Sequence, residues 1–113
     1  MSRRAPAGRP ATEQGWVYTL HLFPPYPADA RPGQQQARHY TGWTKDLAKR
    51  IADHASGKRA AGRLMQVQHG AGGTFILVMV EPGTRDRETQ LKERGASRRC
   101  PLCMVMRVTG VAL

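Results

Sequence analysis

Five side chains in this sequence have the types and order needed to cut a phosphodiester bond. Tyr18 lies in Trp16-Val17-Tyr18, and Tyr40 in His39-Tyr40-Thr41-Gly42. Arg50 and His54 follow in Asp46-Leu47-Ala48-Lys49-Arg50-Ile51-Ala52-Asp53-His54, and Glu88 comes late, with Lys92 after it. Phenol and imidazole groups can pass protons. A guanidinium can grip a phosphate with parallel hydrogen bonds, and a carboxylate can hold a hard divalent cation. Each residue also has a plain structural explanation. A lone tyrosine is usually a core residue with a wet hydroxyl, and a lone helical arginine a solvated charge. A histidine near a helix C-terminus is favoured by the dipole, and a Glu88–Lys92 pair four apart is worth only ~0.3 kcal/mol. Only the combination speaks for chemistry.

Charge narrows the partner class. The 113-residue chain has 18 Lys and Arg against 8 acids, a net charge of +10, which draws polyanions by long-range attraction and counterion release. Nucleic acid is the leading partner. Six of the positive charges fall between Lys45 and Arg63, against Asp46 and Asp53. No stretch approaches the roughly 20 apolar residues of a membrane span, and no apolar core follows the arginines of the N-terminus. The expectation is therefore no membrane and a cytoplasmic setting.

The elements that must position these residues follow from periodicity. Residues 1–14, rich in Arg, Pro, Ala and Gly, read as a disordered basic arm. Trp16–Phe23 alternates and predicts a strand with Val17, Thr19, His21 and Phe23 on one face and Tyr18, Leu20 and Leu22 on the other. Prolines end it, and a polar loop leads to a second, antiparallel strand over Ala37–Trp43. There Gly42 marks a bulge or a close backbone approach. Thr44 is the expected cap of a helix with a Leu47, Ile51, Ala55 stripe, ended by Gly57. On that helix Arg50 and His54 share a line beside the stripe, while Lys49 and Asp53 should face water. Arg59–Met65 suggests a helical turn. The apolar run Thr74–Val80 predicts a central strand buried on both faces, and Thr84 opens a helix reaching Arg94. Residues 96–113 form a basic tail in which Met104–Val108 reads as an added edge strand. The fold class is α+β, a central three-stranded, mainly antiparallel sheet flanked by helices.

The order Tyr, Tyr-x-Gly, Arg, His, Glu resembles the GIY-YIG nuclease domain over residues 15–95. Its small single-domain members carry Tyr-Thr-Gly-x-Thr-x-Asp-Leu-x-x-Arg, similar to Tyr40 through Arg50 here. The resemblance implies a divalent-metal-dependent endonuclease, with DNA expected ahead of RNA as its partner. Glu88 would hold one Mg²⁺ or Mn²⁺. Tyr18 would accept a proton from the attacking water, and Arg50 would bind the phosphate and lower the tyrosine pKa. Tyr40 and His54 would complete the proton network, and Lys45, Lys49 and Lys92 would contact substrate. With no attached binding module, weak sequence specificity and a preference for branched or nicked structures are expected. One position departs from the pattern: Trp16 stands where the first motif has Gly. That departure motivates the alternative of a nucleic-acid-binding protein on the same fold that has lost useful catalysis.

Cys100-Pro101-Leu102-Cys103 is half of a zinc site or a redox pair. The histidines His21, His39, His54 and His69 include no closely spaced pair to complete a finger, so the cysteines read as plain thiols. Zinc shared with another chain stays open.

Overall fold

The computed structural model describes residues 12–58 and 62–111. Most of the expected basic arm, part of the Arg59–Met65 turn, and residues 112–113 lie outside them. The chain forms β1 (Gly15–Tyr26), β2 (Ala37–Thr44), α1 (Leu47–Ser56), α2 (Arg63–Gly70), β3 (Thr74–Gly83), α3 (Arg85–Arg94) and α4 (Pro101–Thr109). The strands make one three-stranded antiparallel sheet in the order β2-β1-β3, the α+β architecture expected.

β1 is the middle strand, and its residues Val17 through Leu22 are all buried. Alternation sends its side chains to two faces. Tyr18, Leu20 and Leu22 join Met65 of α2 in the main core, with Leu47, Ile51 and Phe75 packed against it. Val17 belongs to a second cluster with Trp43 and Leu91 of α3. Trp43 is a core residue: its Nε1 donates to the Gly83 carbonyl at 3.0 Å, and the Arg85 guanidinium lies 4.7 Å over its ring. Leu20 and Leu22 are fully enclosed, each contributing roughly 1.5–3 kcal/mol by leaving water.

Several local expectations need correction. β1 runs through Pro24 and Pro25 to Tyr26, so the prolines do not end it. The apolar run Thr74–Val80 is strand β3, but at the sheet's edge, with Ile76 49% and Val80 45% exposed. Hydrophobicity reported a strand without reporting its neighbours; β1, paired on both sides, took the central place. Met104–Val108 is helical, not a strand. Pro101 sets the first helical turn, and Gly110 ends the helix at φ 74°. α1 is capped by Asp46, whose carboxylate accepts from the Lys49 N–H at 3.1 Å, while the Thr44 hydroxyl accepts from the Asp46 N–H. Asp53 does not face water. It is buried, with Lys49 at 3.2 Å and Lys58 at 3.8 Å drawn to its carboxylate, and the Lys49 hydrogen bond holds its pKa below the usual range. Ala55, by contrast, is exposed. Gly57 ends α1 in the left-handed region at φ 72°, as its position in the sequence suggested. Among the described residues no helix is long and apolar enough to cross a membrane.

Met65 links α2 to β1 at the centre of the main core. Met65→Ala is expected to lower unfolding free energy by about 2–5 kcal/mol with an unchanged urea m-value. A loss below about 1 kcal/mol would mean the core does not close around this side chain.

Candidate active site

The β1–β2 register places Tyr18 opposite Gly42 and Leu20 opposite Tyr40. The Tyr18 ring lies across Gly42. A Cβ at that position would stand 2.5 Å from the Tyr18 hydroxyl and 3.0 Å from the Tyr40 ring. The absent side chain is what lets the two tyrosines converge, their ring centroids 6.3 Å apart. Gly42 is thus a close approach, and the strand pairing runs through it without a bulge.

From α1, His54 closes the cluster. Its Nε2 is 2.7 Å from the Tyr18 hydroxyl, and its ring stands edge-on to Tyr40 at 5.1 Å. Both Tyr18 and His54 are only 1% exposed. Burial, helped by the charge of Arg50 and opposed by Asp53, pulls the His54 pKa down to about 4. At neutral pH the imidazole is therefore uncharged, and in its Nδ1–H tautomer Nε2 accepts the phenolic hydrogen. His54 Nδ1 has no hydrogen-bond partner among the described residues. It belongs to a residue lining a second cavity of about 250 Å³, shared with Gln68 and Phe75.

The phenol itself is harder to ionise than free tyrosine. Burial raises its pKa most, Tyr40 and Glu88 push the same way, and Arg50 alone pulls it down. Arg50 acts in the direction the sequence suggested, but desolvation outweighs it. Arg50 and Glu88 both lie near enough to bias this hydroxyl, from α1 and α3 respectively. Glu88 is paired with Lys92 at 3.0 Å, its side chain 16% exposed. Lys92 also lines a cleft of about 290 Å³ with Tyr40, Thr41, His39 and Leu64. Tyr40, Arg50, His54 and Glu88 therefore all bear on the Tyr18 phenol, and Lys92 stands beside Glu88 and Tyr40. Lys45 and Lys49 are engaged elsewhere, in ion pairs with Glu13 at 2.6 Å and Asp53 at 3.2 Å.

Trp16 does not disturb this cluster. It sits at the sheet's end, 41% exposed, and Tyr18 two residues on still reaches His54. Close packing at the strand start is met one position earlier. A Cβ on Gly15 would lie 2.6 Å from both the Thr44 carbonyl oxygen and the Trp43 ring.

Sequence reasoning missed a second constellation. His21 and His39 are directly opposed on β1 and β2, and Cys100 and Cys103 reach them from α4. The signal was available: in an antiparallel pair, setting Tyr18 against Gly42 sets His21 against His39. Histidines eighteen positions apart in sequence are thereby neighbours.

Compared with protein-family models, curated proteins and solved structures, the chain finds no match.

Gly42→Ala is expected to cost about 1–3 kcal/mol by forcing the Tyr18 ring aside and to weaken the Tyr18–His54 contact. A variant as stable as wild type, with unshifted Tyr18 ring resonances, would contradict this. His54 also makes stability depend on pH. Unfolded His54 binds a proton near its ordinary value of 6.5 and folded His54 only near 4. Stability is therefore full above pH 6.5 and falls as the pH drops toward 4, by about 3 kcal/mol from this residue. Urea midpoints of His54→Gln, which cannot titrate, should fall less steeply across that range. Parallel curves would refute the assignment.

Proposed function

We propose that the Tyr18 cluster is the active site of a metal-dependent endonuclease that hydrolyses phosphodiester bonds in DNA. The observation that carries this reading is the buried Tyr18–His54 hydrogen bond, with Arg50 and Glu88 both bearing on the same phenol. The order of these residues, which resembles the GIY-YIG nucleases, supports it. So does the charge of +10. A surface crevice of about 480 Å³, lined by Arg94, Arg98 and Arg99 with Glu93, offers a resting place for phosphates.

Glu88 fits the task of holding one Mg²⁺ or Mn²⁺, because a single carboxylate leaves most coordination positions to water and phosphate. Such an ion would neutralise phosphate charge and stabilise the leaving oxygen. The chain's own residues supply the rest. Arg50 takes the phosphate oxygens with parallel hydrogen bonds, and Lys92 swings from Glu88 toward the cleft. Because burial opposes a phenolate, Tyr18 works as a relay. It accepts a proton from the attacking water as it passes its own to neutral His54 Nε2. His54 Nδ1 is the ring's other proton-carrying position. Tyr40 holds the phenol in place. Recognition through basic surface charge goes with weak sequence specificity and a preference for branched or nicked DNA. A polyanionic nucleic-acid substrate fits a cytoplasmic location.

A second reading has one observation in its favour. Tyr18 is almost fully buried and its pKa is raised, as suits a structural tyrosine in a catalytically inert DNA-binding protein on the same fold. Plasmid nicking separates the two. Wild type should convert supercoiled to open circles only with added Mg²⁺ or Mn²⁺. Glu88→Ala, Arg50→Ala and Tyr18→Phe should each slow it by roughly 10²–10³ while still shifting DNA on gels. Wild type and Glu88→Ala equally inert, both still binding DNA, would establish the second reading.

A further inference from the structure

We propose that His21, His39, Cys100 and Cys103 form a structural zinc site that fastens α4 to the sheet. The four ligand atoms all lie within 4.8 Å of one another. His21 Nδ1 is 3.4 Å from Cys100 Sγ and 3.8 Å from Cys103 Sγ, and His39 Nε2 is 3.4 Å from Cys103 Sγ. Around a tetrahedral zinc, with Zn–S of about 2.3 Å and Zn–N of about 2.0–2.1 Å, neighbouring sulfur and nitrogen ligands stand about 3.6 Å apart. The observed separations bracket that value, so the four groups can close on one ion with small adjustments. Two thiolates and two imidazoles select a soft, tetrahedral metal over Mg²⁺.

The scaffold presets this geometry. The cross-strand pairing of His21 with His39 brings the imidazoles together, their centroids 4.8 Å apart. Cys100 caps α4 with Pro101 following, which leaves Cys103 one turn on and on the same side. His21, Cys100 and Cys103 are buried, and His39 is partly so.

A second observation shows what the ion would do. Within α4 only Cys103 is buried, while Met104, Val105 and Val108 are 52%, 50% and 79% exposed. A nine-residue helix is marginal alone. Its apolar packing against the sheet is slight, so metal bonds through Cys100 and Cys103 are the anchor its position requires. The site is complete within one chain, with no second copy needed. A Cys100–Cys103 disulfide would satisfy the sulfurs but leave both imidazoles without ligand partners.

The test is metal analysis of the full chain purified under reducing conditions with zinc in the growth medium. One equivalent of zinc is expected, kept in Glu88→Ala and lost in Cys103→Ser and His39→Ala. Cobalt exchanged into wild type should give the visible bands of a tetrahedral site together with thiolate-to-cobalt charge transfer, and withdrawal of the metal should lower the Tm. Because a ligand variant could misfold, the cobalt spectrum of the wild-type protein stands as an independent readout. A folded wild type that takes up neither zinc nor cobalt would overturn the proposal. So would zinc retained in Cys103→Ser, or a metal-free Cys100–Cys103 disulfide in reducing buffer. None of these readouts depends on DNA cleavage, so the nuclease reading stands or falls separately.

Discussion

The alternation of side chains along β1, locked by its pairing with β2, is the constraint on which the rest of the structure depends. β1 is buried on both faces, so each successive residue serves a different neighbourhood. Tyr18 faces α1 and the His54 imidazole; His21, three residues on, faces the α4 cysteines. A slip of one residue would exchange the two faces and dismantle both constellations. The main core around Leu20, Leu22 and Met65 opposes such a slip, because it would expose the leucines that are now fully enclosed. Gly42 fixes the same register sterically, since the Tyr18 ring fits only opposite a position without a side chain.

Within the Tyr18 cluster two electrostatic effects compete, and their order matters for chemistry. Arg50 favours the phenolate; burial, Tyr40 and Glu88 disfavour it, and together they win. The resting state is therefore a neutral tyrosine donating to a neutral histidine. Burial, which makes Tyr18 a poor isolated base, also lowers the His54 pKa and keeps the imidazole unprotonated, at the cost of its basicity.

Much of the architecture was legible in the sequence, for definite reasons. The alternating run within β1, the Gly57 terminator and the Thr84–Gly95 bounds of α3 are local signals, and the structure keeps them, although β1 continues past Phe23 to Tyr26. The gathering of Tyr18, Tyr40, Arg50, His54 and Glu88 was legible only through their order, because no local rule sets the distance between β1 and α3. What failed was non-local. The apolar composition of β3 could not reveal an edge position, and the valines and methionines of α4 suggested a strand until Pro101 and Gly110 are weighed as helix bounds. Asp53 was expected in water because helical periodicity does not register Lys49 and Lys58 closing over its carboxylate. His21 and His39 were passed over because ligand spacing was sought along the chain and not across the hairpin.

The two constellations differ in composition as well as in place: Tyr18 with the His54 imidazole on one face of β1, His21 with two thiols and a second imidazole on the other. The most direct measurement is anomalous diffraction at the manganese edge, from crystals of the full chain grown with Mn²⁺ and a short DNA duplex. The nuclease account expects a manganese peak beside the Glu88 carboxylate, with a backbone phosphate between that peak and Arg50 and the Tyr18 hydroxyl facing the phosphorus. DNA bound across the other face of the sheet, with no manganese at Glu88, would contradict it.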